Sequence, residues 1–261
     1  MRKLLILALA SLSAVLWAYG CGGGGSGGGS SGSGDGYAIE ALAYLTRDTS
    51  RTYTFTERVE ASWDDQRASE EHEKTFSYET VDAIPGVYGD FSAYQGPFTK
   101  ETVRIDGVET MVTYTDGSGN VIVSDDFSVF TSITGSTSSG TLPTSMVPGT
   151  AYTTTLRELL YNSDASAGAF GVNTGSSVTT TTFTPVAVGT ITLGGTPYRA
   201  LEAKISLVVS INGTVTTTTE YTGRQWFGEG LGLIKAVLSY EVQQSGITVE
   251  YTVTDELVSV E

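Results

Sequence analysis

Few residues in this chain have the type and spacing to do chemistry. The sharpest is Cys21, the only cysteine in 261 residues. A lone thiol has no partner for an internal disulfide. It follows a short apolar run, Leu4 to Trp17, that opens with Arg2 and Lys3, and Gly20 stands directly before it. His72 is the sole histidine. A Ser-His-Asp relay or a zinc site would need it held rigidly, with no second histidine or free thiol to help. It lies in the charged run Asp64 to Lys74, which reads as a solvated hairpin loop, so a solvated residue is the simpler reading. Asp116, Ser118 and Asn120 offer oxygens at alternate positions, like the start of a calcium loop. Phe127 stands where the closing glutamate is needed, and a plain turn explains the spacing better. Asp125 and Asp126 could lend oxygens only to a weak site. Carboxylate pairs suited to glycoside hydrolysis arise by chance in a chain with 29 acidic residues. The body holds no G-x-S-x-G elbow, no H-E-x-x-H and no phosphate loop with its lysine. The expectation is a non-enzyme without metal or cofactor.

The elements that must position Cys21 come first in the chain. A basic start, an apolar stretch far short of the ~20 residues a spanning helix needs, and small residues before a cut describe an export signal over 1–20. The segment Leu16-Trp17-Ala18-Tyr19-Gly20-Cys21 resembles the lipobox of bacterial lipoproteins. Ala18 stands where that family usually has leucine, and Tyr19 is bulkier than usual. The resemblance implies that the Cys21 thiol receives a diacylglyceryl group before cleavage and that the new N-terminus is then acylated. One chain anchors marginally and two or more hold stably. The alternative is an ordinary secretory signal that leaves a free thiol. Gly22, rather than an aspartate, follows the cysteine, which by resemblance favours the outer membrane and leaves the leaflet open. Residues 22–36 are almost all Gly and Ser and behave as a coil of roughly 20–25 Å mean reach.

Charge excludes one class of partner. The full chain carries −15, and loss of the two basic residues in 1–20 makes the mature product −17. That sign repels nucleic acid and anionic headgroups. Residues 37–261 are long enough to bury a sizeable core without disulfides.

The body reads as antiparallel β. In 52–63, Tyr53, Phe55, Val59, Ala61 and Trp63 share one parity, the period of a half-buried strand. Residues 37–46 fit one or two helical turns or the lead into that strand. Asp106-Gly107 and Asn212-Gly213 are strong hairpin dipeptides. Thr-rich stretches at 153–155, 179–182 and 216–219 suit strands, although Leu156, Leu159 and Leu160 also permit a helix at 152–161. Residues 136–150 hold soft linkers and two Pro-containing turns, a candidate subdomain boundary. From Leu201 to Ile211, and again from Ile247 to Val253, apolar residues alternate with mostly polar ones.

Two stretches near the C-terminus carry a further resemblance. Val188 to Leu201 resembles the "tvtv-aGtf-al" hairpin of small exported bacterial lipoproteins. Trp226-Phe227-Gly228-Glu229-Gly230-Leu231-Gly232-Leu233-Ile234-Lys235 resembles their "WyapGvGlVK" strand start, and Asp255-Glu256-Leu257 their closing "eL". These proteins are similar to the half-barrels that include the lipoprotein carrier LolA, which implies a curved antiparallel sheet around a hydrophobic cavity. Independently of that, Gly230 and Gly232 permit backbone geometry or close approach that a Cβ would forbid. Trp226 reads as a cap on the core, with Lys235 closing the motif.

The resulting expectation is an all-β meander forming a curved half-barrel or a barrel-like sheet, attached to the membrane through Cys21. Its leading function is to bind an apolar ligand or an envelope protein in the concave face. The second is a structural or interaction lipoprotein whose concavity is filled by its own side chains. The least favoured is an acid-dependent hydrolase. The anchor is tested by fractionation: Cys21→Ser moves the protein from membrane to soluble fractions, and unchanged membrane association contradicts lipidation.

Overall fold

The computed structural model describes residues 38–86, 91–92, 94–117, 121–126, 131–139, 142–162, 173–212, 216–244 and 246–261. Cys21, the Gly/Ser segment, Ser118, Asn120, Phe127 and Gly213 lie outside these residues. The strands are β1 (Ile39–Glu40), β2 (Tyr53–Trp63), β3 (Gln66–Val81), β4 (Phe98–Ile105), β5 (Val108–Thr115), β6 (Val121–Asp126), β7 (Thr131–Ser139), β8 (Ser145–Met146), β9 (Tyr152–Asn162), β10 (Asn173–Leu193), β11 (Thr196–Asn212), β12 (Thr216–Gly228), β13 (Gly232–Gln244) and β14 (Ile247–Val260), with one short helix, α1 (Leu42–Leu45).

Pairing is antiparallel throughout. From β2 to β7 each strand bonds to the next, β9 bonds to both β7 and β10, the meander continues to β14, and β14 returns to β2. The ring of pairings therefore closes as a barrel. Of the two forms expected from sequence, the half-barrel and the barrel-like sheet, the pairings give the second. Closure rests on a long β14–β2 register, from Glu250↔Ser62 to Val260↔Tyr53. It leaves no bare edge between the first and last long strands. Segment 136–150 joins β7 to β9, two neighbours in the ring.

Alternation explains the interior. Tyr53, Phe55 and Val59 of β2, Leu201, Ala203, Ile205 and Leu207 of β11, and Val249, Val253 and Leu257 of β14 are buried at every second position. Successive side chains of a strand point to opposite faces, so one parity lines the inside. A fully buried residue of this kind contributes about 1.5–3 kcal/mol. Two apolar clusters result. The first gathers Phe55, Phe76, Val103, Met111, Ile234 and Leu257. The second gathers Val59, Ile205, Leu207, Leu238 and Val253, with Tyr221, Tyr240 and Tyr251 in contact across three neighbouring strands, the first pair tilted at 4.8 Å and the second stacked at 5.1 Å. Strands β4 to β6 are buried on both faces, because Val81, Ile84 and Phe91 cover Val112, Tyr114 and Val123 from outside.

The N-terminal strap, residues 38–47, closes one end. Ile39 pairs with Met146, Ala41 N–H donates to the Thr144 carbonyl, and Ile39, Ala41 and Tyr44 are buried. The helical turn expected near 37–46 is thus α1, four residues long. Two other expectations change. The run 64–74 is not a loop: β3 begins at Gln66 and pairs with β2 residue for residue, leaving only Asp64-Asp65 as the turn. Its polarity reflects position, since β4 pairs with β3 only from Lys74 onward and the rest stands above its neighbour. Segment 152–161, where helix and strand competed, is strand β9, because its Thr and Leu residues pair along β10.

Close packing of β12 on β13 depends on Gly223. A Cβ there would run into the Val237 carbonyl oxygen and lie 2.9 Å from the Leu238 Cα. Gly223→Ala is expected to lower unfolding free energy by about 1–3 kcal/mol in urea titration; an unchanged midpoint would show that the strands separate freely.

Candidate functional site

The residues of one parity inside the barrel are not all apolar. On β2 the order is Phe55, Glu57, Val59; on β14 it is Leu257, Asp255, Val253. Glu57 and Asp255 face each other in register. From β3, Lys74 donates to Glu57 Oε2 at 2.7 Å and to Asp255 Oδ2 at 3.4 Å. The Lys74 and Glu57 side chains are only 3% and 1% exposed. Gln225, fully buried, lies on the same interior row beyond Ala236. Among the described residues neither end of its amide has a hydrogen-bond partner. On β2 and β14 the two acids therefore stand between residues of the first cluster and residues of the second.

Burial and the neighbouring charges shift the titration of Lys74 and Asp255. Burial alone would lower the Lys74 pKa, but the carboxylates of Asp255 and Glu57 outweigh it and the net shift is upward. That direction favours the ammonium form of Lys74. Burial pushes Asp255 up to about 6, against the pull of Lys74.

A second cluster sits where the strap meets the barrel. Arg47 bridges to Leu231 in antiparallel fashion. Its guanidinium donates to the carbonyls of Leu231 (3.3 Å) and Leu233 (3.0 Å) and to the Tyr78 hydroxyl (3.1 Å). It lies 4.3, 5.2 and 5.5 Å from the ring centres of Tyr53, Phe76 and Phe55, within cation–π range. Glu101, directly across from Tyr78 on β4, is bonded to that hydroxyl. Burial raises Glu101 to about 7, with Arg47, Tyr78 and Lys74 opposing. Burial also lowers Arg47 from its usual value, while Tyr78 and Glu101 resist.

The residues singled out from sequence fall around this seat. Gly230 and Gly232 both take left-handed φ, +71° and +67°. The N–H of Gly230 donates to the Ala43 carbonyl at 2.7 Å, and a Cβ on Gly232 would press on the Arg47 side chain at 3.2 Å. The glycines thus make room for the strap. Trp226 and Lys235 pair on the outer face, the ammonium 5.9 Å from the ring and bonded to Glu256 at 3.0 Å. Trp226 packs half-buried against the first cluster.

His72 lies on β3 with a defined partner. Nδ1 lies 2.8 Å from Asp106 Oδ2, and Asp106 also accepts from the Glu73 N–H. That hydrogen bond raises the His72 pKa. Among the described residues no group of three His, Cys, Asp or Glu side chains could hold a metal. A pocket of about 420 Å³ lies at the tip of the β2–β3 hairpin, lined by Trp63, Asp64, Asp65, Arg67, Glu241 and Glu250 among others.

Sequence reasoning missed Arg47, Lys74, Glu57, Asp255 and Glu101. One signal was present: Glu57 and Asp255 each interrupt an apolar parity. Nothing marked Arg47, whose partners lie 31 and 186 residues away.

No protein-family model matches the chain, and no curated protein matches it. Among solved structures, it is similar to a Bacteroides fragilis protein described as exported with a YmcC-like fold, at 12% identity and TM-score 0.40, over 83% of this chain and 99% of the other. It is also similar to a protein from Parabacteroides distasonis described as a lipoprotein, at 10% identity and TM-score 0.36, over 83% and 98%. A third is the hypothetical lipoprotein YmcC of Escherichia coli, at 11% identity and TM-score 0.33, over 77% and 83%. Likenesses at these scores carry no argument about activity.

Two outcomes follow from the buried charges. Lys74→Met leaves Glu57 and Asp255 facing each other unneutralised and is expected to cost about 3–5 kcal/mol in denaturant unfolding; a loss under 1 kcal/mol would show the site to be wet. For Glu101, the folded chain holds the proton more tightly than the unfolded one, so this residue's contribution to stability is full below pH 4.5 and is lost as pH rises to about 7. Glu101→Gln removes this loss, about 3 kcal/mol by the size of the shift, so urea midpoints at pH 5 and 8 should differ less in the variant than in the parent.

Proposed function

We propose that this is a non-enzymatic lipoprotein of the bacterial cell envelope. Acylated Cys21 and a Gly/Ser leash hold a rigid, self-filled barrel and present its outer surface and rims to a protein partner. The observation that supports this reading is the set of buried side chains at the described inner positions of the barrel. Interior positions on β2, β11, β13 and β14 are occupied by the chain's own buried side chains, and an ion cluster lies among them. A fatty chain threaded through the interior would have to separate Lys74 from its carboxylates. Leaving those charges unpaired in a low-dielectric setting is costly. Lys74, Glu57 and Asp255 are engaged with one another, which supports a structural role for them over acid catalysis.

Placement in the outer membrane belongs to the same proposal and rests on Gly22 beside the acylated cysteine. The competing reading, an apolar ligand in the concave face, is separated by native mass spectrometry of the protein after gentle extraction. The filled barrel predicts the mass of the triacylated chain with no bound lipid. A stoichiometric co-purified lipid that survives in Cys21→Ser would overturn it.

A further inference from the structure

The seat of Arg47 has the composition of a recognition site. Two carbonyl oxygens and a tyrosine hydroxyl accept from the guanidinium, three aromatic rings flank it, and a buried carboxyl stands behind Tyr78. A planar fork met by three acceptors and flanked by aromatic rings selects guanidinium over ammonium. The occupant is the chain's own strap, in an extended bridge to Leu231. We propose that this seat is a guanidinium-binding site, shut in this structure by Arg47, and that its exchange partner is an arginine carried on an extended segment of another protein.

Three features favour exchange by such a segment. The resident arginine already enters by strand-like pairing, so an incoming strand can reproduce both its backbone contact and its side-chain contacts. The stretch that must yield is short: α1 ends at Leu45, and residues 48–51 form a surface turn held by an exposed Asp48–Arg51 pair. Ile39, Ala41 and Tyr44 can stay buried while Arg47 swings out. The chain's net charge of −15 favours a basic partner. Displacement would loosen the link between the leash and β2, so occupancy of the seat would be coupled to how the barrel is held at its anchor. The choice of a protein as partner rests on the interaction reading above. The seat itself does not, so the two can fail separately.

The test uses the full chain with Arg47→Ala and follows its melting temperature. The substitution is expected to lower it by several degrees. Millimolar methylguanidinium chloride should restore more than half of the loss, whereas methylammonium chloride and sodium chloride at equal ionic strength should not. Equal effects of the methylguanidinium and methylammonium salts would overturn the site. If the alanine variant does not fold, Arg47→Lys, which keeps the charge and loses the fork, takes its place with the same salts. In a second arm, a labelled peptide copying residues 38–48 is titrated into the folded variant. Saturable binding that weakens at least tenfold when the peptide carries alanine at its arginine supports exchange. Equal binding of both peptides, or binding of neither, would overturn exchange while leaving the guanidinium site to the first arm.

Discussion

An ammonium clamped between two carboxylates inside a barrel is the constraint around which the rest is arranged. Lys74, Glu57 and Asp255 come from β3, β2 and β14, the three strands around the seam where the ring closes. If β14 left β2, Asp255 would separate from Glu57 and Lys74 would lose part of its neutralisation. Registry is fixed the same way. A one-residue slip of β14 would turn Asp255 outward and bring a neighbour of opposite parity into its place. Buried ion clusters are weak sources of net stability, but they penalise wrong arrangements strongly. The apolar clusters supply the burial energy, and a wrong register would break the ion contacts.

The strap applies the same logic at the barrel's end. Arg47 reaches Tyr78 and stands near Glu101, on strands β3 and β4, while its backbone pairs beside the β12–β13 turn. One residue therefore ties the incoming chain to strands far apart in the ring. The close fit at that point depends on Gly232, since any side chain there would meet Arg47.

How much of this is legible in the sequence depends on range. Period-two alternation in 53–63 and 201–211 reports the immediate environment of each residue, and both stretches are strands with that parity buried as far as Val59 and Leu207 and half-buried beyond. Asp106-Gly107 needs only local backbone sterics, and both residues take left-handed φ, 51° and 77°. Gly232 was legible as a place of close approach, though not what approaches. The 64–74 run misled because composition records exposure, and a strand projecting beyond its neighbour is as polar as a loop. The ion cluster needs pairing between residues 17 and 181 positions apart, which no local pattern encodes. Its trace is an acid set among apolar residues of the same parity, visible at Glu57 and Asp255 but ambiguous without the register.

The central claim is that Lys74 is sealed as an ammonium among its carboxylates in a filled interior. Proton–nitrogen correlation NMR of the lysine side chains at pH 8 observes this directly. Exposed ammonium groups exchange with water too fast to be seen, so the account predicts one sharp lysine Nζ signal that persists at pH 8 and vanishes in Lys74→Met. A spectrum without that signal would mean that water reaches Lys74, and the barrel would then be open where it is described as filled.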